Sequence, residues 1–456
     1  MQLANVRAID VALASERIRL AVAQLDRARV LWLPTVYLGV DYYRHDGQLQ
    51  DIDGNILGNS KQSFMVGAAP YAVFAVTDAI FSPLAERQTV RAREAALQTA
   101  RNDTLLSVAE AYFNVQQARG ELAGAVDAAR KAEAAVHRTE KLAAGGEGIL
   151  AEVDVMRART EFERRDQAVD VARERWRTAS AELTRVIRLD PAALVEPLEA
   201  PHLQINLVPL DKPVDDLIPV ALTNRPELST QQALVQATLV RLRQERLRPL
   251  IPSLLLRGAS TNPAGTLSGG VFGGGLNDSL SKFSARSDIG VQVLWEFQNL
   301  GFGNAARVRE RRAEKELAVL ELFRIEDRVA AEVTQAYAQA QSAAARVAKA
   351  ERGLKYAVES AQLNFEGLGQ TKTGGGKAIL LVVRPQEVVA AVQALAQAYS
   401  DYYGVVADYN RAQFRLYRAL GEPAQALTSE SPDCATPPGS HGPSVPAVPS
   451  APAPSP

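Results

Sequence analysis

The sequence predicts a mainly α-helical chain with a small β part, arranged as two tandem copies of one unit: helix, two strands, long helical hairpin. Three observations predict it. The chain repeats itself at an offset of 218 residues (Leu33 against Ile251), its longest segments keep heptad spacing, and short stretches of period-two alternation separate them.

The repeat fixes the order of elements. Leu33-Pro34-Thr35-Val36-Tyr37-Leu38 closes one helix as Ile251-Pro252-Ser253-Leu254-Leu255-Leu256 closes another, and Val90-Arg91-Ala92-Arg93 is echoed by Val308-Arg309-Glu310-Arg311. Val108-Ala109-Glu110-Ala111-Tyr112 then matches Val333-Thr334-Gln335-Ala336-Tyr337 at an offset of 225. The added seven residues are one heptad, so the insertion keeps the buried face. The glycine turn 145–150 matches 374–380, and each half stops alike, at Leu189-Asp190-Pro191 and Gly421-Glu422-Pro423. This divides the chain into a first repeat at 1–191, with strands at 34–45 and 63–76 and a helical hairpin at 84–187. A connecting segment follows at 192–223, with a small helix at 214–222. The second repeat takes 224–423, with strands at 252–260 and 284–297 and a hairpin at 303–420. Residues 424–456 are rich in Pro, Ser and Ala, too poor in apolar surface to order themselves.

The hairpin helices carry coiled-coil seams. In the last, Val388, Val392, Leu395, Tyr399, Tyr402, Val406, Tyr409, Gln413, Leu416 and Leu420 alternate spacings of four and three, with Gln413 the one polar member. Its counterpart runs Val155, Ala158, Phe162, Arg165, Val169, Ala172, Trp176, Ala179, Leu183, Val186, with Arg165 the exception. The preceding helices, 84–144 and 303–368, contain no proline and would each be on the order of 90 Å long.

The strands alternate. Val36, Leu38, Val40 and Tyr42 interleave with Thr35, Tyr37, Gly39, Asp41 and Tyr43, and Ile289, Val291, Val293 and Trp295 interleave with Gly290, Gln292, Leu294 and Glu296. A half-buried soluble sheet and a transmembrane barrel wall both produce this pattern. Four strands are too few to close a barrel, and open edges cannot stand in lipid, so a membrane reading requires several chains to share one barrel. Polar, glycine-rich loops are expected at 46–60 and 261–281, and Pro70 fits a strand only at a bulge or an end.

Composition removes other classes. Lys+Arg 51 against Asp+Glu 52 leaves a net charge of -1, without the basic excess of a nucleic-acid binder. The single cysteine, Cys434, permits no internal disulfide, and the four histidines are scattered, so neither metal nor cofactor is expected. Gly369–Lys377 imitates a phosphate loop, but Gly375 stands where lysine must follow Gly374, and Ala378 offers no hydroxyl for Mg²⁺. No nucleophile elbow occurs, and no enzyme activity is expected. No apolar run is long enough for a transmembrane helix, and residues 2–30 carry Arg7, Arg17, Arg19, Arg27 and Arg29 in place of a signal peptide's apolar region.

Asn224-Arg225-Pro226-Glu227-Leu228 reads as a helix start, with Asn capping, Pro in the first turn and Glu at the positive end. With Leu33-Pro34, Ala111-Tyr112-Phe113-Asn114, Ile251-Pro252 and Gly421-Glu422-Pro423, spread in order across both halves, the chain resembles the TolC-like outer-membrane efflux protein family over nearly all of residues 1–423. The resemblance implies a homotrimer with a shared 12-stranded transmembrane β-barrel and an α-helical barrel in the periplasm. It implies an export duct of the outer membrane, serving a tripartite efflux or type I secretion system. Its partners would be a periplasmic adaptor, an inner-membrane transporter and outer-membrane lipid. The turns at 143–150 and 369–379 would be the periplasmic tips, carrying Glu147, Gly148, Glu152 and Asp154 on one and Lys372, Lys377 and Arg384 on the other. Asp154 and Arg384, at matching positions of opposite charge, would form an entrance latch. Asn224 maps to Val6, so either a precursor extending upstream with a signal peptide or a truncated gene product is expected. The alternative reading of the residues is a soluble or periplasmic coiled-coil scaffold or adaptor.

Overall fold

The computed structural model describes residues 9–33, 35–144, 150–258, 270–276, 280, 283–286, 289–374 and 378–429. The first repeat contains α1 (Ile9–Arg29), a 3-10 turn (Val30–Trp32), β1 (Thr35–Gln50), β2 (Ile56–Ala75), α2 (Val76–Ala144) and α3 (Glu152–Ile187). After an irregular segment comes α4 (Val214–Asn224). The second repeat follows as α5 (Pro226–Leu247), β3 (Ser253–Gly258), β4 (Gly270–Leu276), β5 (Phe283–Arg286), β6 (Ile289–Leu294), a 3-10 turn (Gln298–Gly301), α6 (Phe302–Gly367), β7 (Thr371–Gly374), β8 (Ala378–Leu381) and α7 (Pro385–Ala419). A last turn, α8 (Ala426–Ser429), follows, with Ala424 buried before it, so packed structure extends past the expected stop at 423.

The expected four strands are present, but differently bounded. β1 and β2 pair without interruption from Thr35↔Tyr71 to Gln50↔Ile56, so the loop expected at 46–60 shrinks to residues 51–55. Asp51 makes so tight a turn possible: its carboxylate accepts the backbone N–H groups of Asp53 (3.1 Å) and Asn55 (2.7 Å), and Gly54 supplies a positive φ of 83°. On the other edge of β2, β3 pairs with residues 71–75 and β4 with residues 61–67. β3 and β4 are therefore two stretches of one strand line, and β5 and β6, which pair with them in turn, are two stretches of the next. The sheet has four strand lines in the order β1, β2, β3/β4, β5/β6. Pro70 lies between the two stretches of β2 that pair with β3 and β4, where a missing donor breaks no described pairing on that side.

Beneath the sheet the helices repeat that order. α1 packs on α2, α2 on α5, and α5 on α6, so α1 and α6 stand at the two ends of the row. α2 (69 residues) starts at Val76, earlier than expected, and takes in Pro83; α6 has 66 residues. At 1.5 Å per residue both are roughly 100 Å long. α2 and α3 form one hairpin, α6 and α7 the other, joined along α2 and α7.

The seams follow the heptads. Val329, Val333, Ala336, Ala340, Ala343 and Val347 are buried on α6, and on α7 Val388, Val392, Leu395, Val406, Tyr409, Gln413, Leu416 and Leu420. Burying each of the larger side chains is worth roughly 1.5–3 kcal/mol. Alanine lets the helices approach closely, and glycine more so: a Cβ on Gly120 would lie 2.6 Å from the Tyr403 ring, and one on Gly124 2.5 Å from Tyr399 Cβ. Those two tyrosines stack, with ring centroids 6.4 Å apart. No described helix is long and apolar enough to cross a membrane, which says nothing about the sheet.

Candidate functional site

Strand register sorts the sheet's residues onto two faces. Val36, Leu38, Val40 and Tyr42 of β1 stand opposite Pro70, Ala68, Val66 and Phe64 of β2. On the other side Val66 stands opposite Val271, Phe74 opposite Leu254 and Ala72 opposite Leu256. Leu254 and Leu256 face Val293 and Val291 in turn. One face thus carries apolar residue types across all four strand lines. The alternate positions include Thr35, Asp41, Tyr43, Ser63, Ser253, Gly290 and Gln292. Within the chain Val40, Tyr42, Val66, Ile289, Val291 and Val293 are exposed. An ordinary half-buried sheet would have a layer packed on such a face. The edges are open as well: β1 and the β5/β6 line each pair on one side only among the described residues.

At the opposite end of the hairpins the two tips differ. Glu147, Gly148 and Lys377 lie outside the described residues. Glu152 is exposed in the first turn of α3, and Asp154 pairs with Arg157 at 3.2 Å. The second tip is a β-hairpin in place of the expected plain turn, with Lys372 of β7 opposite Leu380 of β8. It leans on the first hairpin. Leu368 is fully buried among Ala135, Leu142, Phe365, Val383 and Val388, and Gly369 takes a φ of 90° against Leu142.

Arg384 is the N-cap of α7 and exposed; the Glu387 carboxylate accepts its backbone N–H at 3.1 Å. This corrects the repeat match. The N-cap of α3 is Ala151, and the seams begin at Val155 and Val388, so Asp154 corresponds to Glu387 and Arg384 to Ala151. The mismatch arises because the second tip's hairpin adds residues that the glycine-turn alignment did not count. Both returning helices therefore carry an acid in the first turn, where the helix dipole favours one. Within the chain Asp154 and Arg384 are not paired with each other.

Midway along the helices a partly buried charge cluster joins α5, α6 and α7 and reaches the first repeat through Asp103. Arg225, its side chain 3% exposed, pairs with Glu332 (2.5 Å) and Glu227 (3.1 Å) and donates to the carbonyls of Ala419 (3.2 Å) and Arg418 (3.4 Å). Arg418 pairs with Asp103 (2.7 Å), Glu227 (2.8 Å) and Glu332 (2.7 Å). Burial alone would lower the Arg418 pKa, but Asp103 and Glu227, with Glu332, raise it. Gly421, at φ 77°, lets the chain pass Asn224 and Arg225; a Cβ there would lie 2.8 Å from the Arg225 nitrogen. The motif at 224–228 thus works differently from the capping expected of it. Asn224 ends α4, Arg225 occupies the N-cap of α5 and Pro226 its first position.

The connecting segment is strapped to the helices by side chains. Asn410 accepts the Ile205 N–H (2.9 Å) and donates to the Leu203 carbonyl (2.7 Å), while Gln413 accepts from Leu207 (3.1 Å) and Val208 (3.0 Å). Trp176 donates to the Val195 carbonyl at 2.9 Å, and Tyr112 donates to Glu199, which with burial pushes the tyrosine pKa up. Gln413 was visible in the sequence as the polar exception in an apolar seam. Arg225 stood inside the 224–228 motif, but Arg418 and Glu332 carried no such signal. The other exception, Arg165, sits 2.8 Å from the buried Glu161, which also accepts from Gln393 (2.6 Å). Among the described residues no cluster of His, Cys, Asp and Glu could hold a metal ion.

Among the described residues, then, a sheet of four strand lines with an uncovered apolar face and two open edges is set on a row of helices, two of them roughly 100 Å long. Comparison with known proteins agrees. Residues 1–187 match the family model described as outer membrane efflux protein. No curated protein sequence matches the chain. Among solved structures it is similar to the outer-membrane channel OprN, at 17% identity and a TM-score of 0.73, covering 93% of this chain and 89% of that one. It is similar to the CmeC outer membrane channel of Campylobacter jejuni, at 16% identity and 0.74, covering 94% and 87%. The outer membrane protein VceC of Vibrio cholerae matches at 15% identity and 0.72, covering 92% and 94%. The chain therefore has the fold of the TolC-like outer-membrane channels, and the resemblance read from its motifs holds. The proteins it matches are channels and not enzymes.

Proposed function

We propose that the chain is one protomer of an outer-membrane export duct: three copies pool their sheets into a twelve-stranded barrel and their helices into a periplasmic tunnel. The observation that carries this is the sheet itself. Among the described residues its apolar face is uncovered and both its edges are open, and lipid tolerates a sheet only when a closed ring removes the edges. The row of helices beneath is open at the same two ends, so one closure satisfies both layers. The duct works as the exit of a tripartite efflux or type I secretion system, receiving cargo from an inner-membrane transporter through a periplasmic adaptor. Glu152, Asp154 and Arg384 lie at the tips, where an adaptor docks and the entrance narrows. No step of bond chemistry is assigned to the chain.

The test is expression behind an export signal, followed by membrane fractionation, an unheated detergent gel and planar-bilayer recording. A heat-labile trimer from the outer-membrane fraction that conducts ions is the expected result. A monomer in the soluble fraction would return the chain to the scaffold reading.

A further inference from the structure

We propose that residues 295–302 of one chain form a preshaped wedge that seats on the turn at residues 30–33 of a second copy, at the foot of the seam that closes the barrel. The inference rests on the duct reading. Residues 30–33 join α1 to β1, and residues 295–302 join β6 to α6, so each segment stands at the foot of one open edge. β1 runs away from its helix and β6 runs towards its own. Pairing β6 of one chain with β1 of the next is therefore antiparallel and brings the two segments side by side at one level.

Both segments are apolar and uncovered within a chain. Val30, Leu31, Trp32 and Leu33 are exposed on one side, and Trp295, Phe297, Leu300 and Phe302 on the other, Leu300 at 91%. The same two ends of the helix row expose Leu13 and Leu20 on α1 and Leu317, Leu320 and Phe323 on α6, so the apolar seam continues below the wedge.

The wedge is a built element. Asn304, buried in the first turn of α6, accepts the Gln298 N–H at 2.8 Å and donates to the Glu296 carbonyl at 3.4 Å. Gly303 lies so close to Gln298 that a Cβ would stand 2.9 Å from its Cβ. Asn299 and Leu300 take left-handed backbone angles, φ 48° and 59°, which a leucine adopts only where its surroundings impose it. The result holds Leu300 outward with nothing of its own chain to pack on.

The repeat separates a neighbouring chain from lipid as the occupant. In the first repeat β2 passes into α2 at Ala75 and Val76 without any such loop. A membrane anchor would serve both repeats equally, since both meet lipid at the same depth. A contact between chains occurs only at the outer ends of the repeat pair, and the wedge occurs only there.

Leu33→Cys carrying one affinity tag and Leu300→Cys carrying another, both with Cys434→Ser, are co-expressed and treated in native membranes with a short bismaleimide. A covalent dimer bearing both tags is expected, with no product from either variant alone or from Leu33→Cys paired with Leu250→Cys. Asn304→Ala, which frees the wedge, should cut the yield several-fold and lower the temperature at which the trimer dissociates, with conductance unchanged. Conducting trimers that give no mixed dimer, and in which a fluorophore on the thiol of the Leu300→Cys variant is quenched by brominated lipid, would assign the wedge to the membrane and overturn the inference. Absence of any membrane trimer would overturn the duct reading itself.

Discussion

The two repeats share a plan and differ wherever an element ends. In the first, β2 runs straight into α2; in the second, the wedge separates β6 from α6. The second repeat pairs its β3 and β4 with separate stretches of β2, whereas β1 and β2 pair without a break. Its tip folds into a β-hairpin that leans on Leu142 of the other repeat. Along the seams, by contrast, the two agree closely, starting from Val155 and Val388. A packed seam tolerates change only by whole heptads, since any other shift rotates the apolar face into solvent. Ends are under no such constraint, and there the repeats differ.

The largest test of this contrast is the charge cluster around Arg225, which holds α5, α6 and the end of α7 of the second repeat together. Arg225→Ala removes a buried guanidinium but leaves Glu332 and Glu227, both partly exposed, still paired with Arg418, and should cost about 1–3 kcal/mol, read as a lower unfolding temperature of the folded protein. A loss below about 1 kcal/mol would mean that water already solvates the cluster. Next come the glycines. Gly124→Ala drives a Cβ into Tyr399 and should destabilise by about 1–3 kcal/mol. Gly353→Ala, on α6 with nothing within 4 Å of its Cβ, should stabilise by about 0.5–1 kcal/mol through helix propensity alone. Equal effects at the two sites would show that α2 and α7 are less tightly packed than the tyrosine stack implies.

The polar exceptions separate the seams further. Gln413→Leu removes the acceptor of the Leu207 and Val208 N–H groups and should cost about 1–3 kcal/mol. Its direct readout is faster hydrogen exchange confined to residues 203–208. The smallest effect belongs to the tips. Asp154→Asn and Glu387→Gln each weaken a helix start by about 0.3–1 kcal/mol. Charge reversal at Asp154 or at Arg384 should change conductance through the assembled duct, and unchanged conductance would remove both residues from the entrance.

Much of this architecture was legible in one dimension. Leu33-Pro34 and Ile251-Pro252 located the helix–strand junctions, and Gln413 stood out because every neighbour in its seam is apolar. Lengths at the ends were less legible. Residues 46–60 look like a loop because they are polar, yet all but 51–55 pair as strands, since a hairpin reaching beyond an apolar layer has no reason to be apolar. The glycine-turn match drew Arg384 onto Asp154, although the seam aligns Asp154 with Glu387.

The sequence by itself determined the repeat, the seams, the strand alternation and the absence of catalytic or metal-binding motifs. These are periodic or local properties, set by which side chains recur at 3.5 or 2 residues. Only the tertiary structure decided the order of the strand lines, the uncovered apolar face they share, the charge cluster around Arg225 and the outward aim of Leu300. Each depends on which distant segments come to lie side by side, and residue spacing along one chain does not encode that.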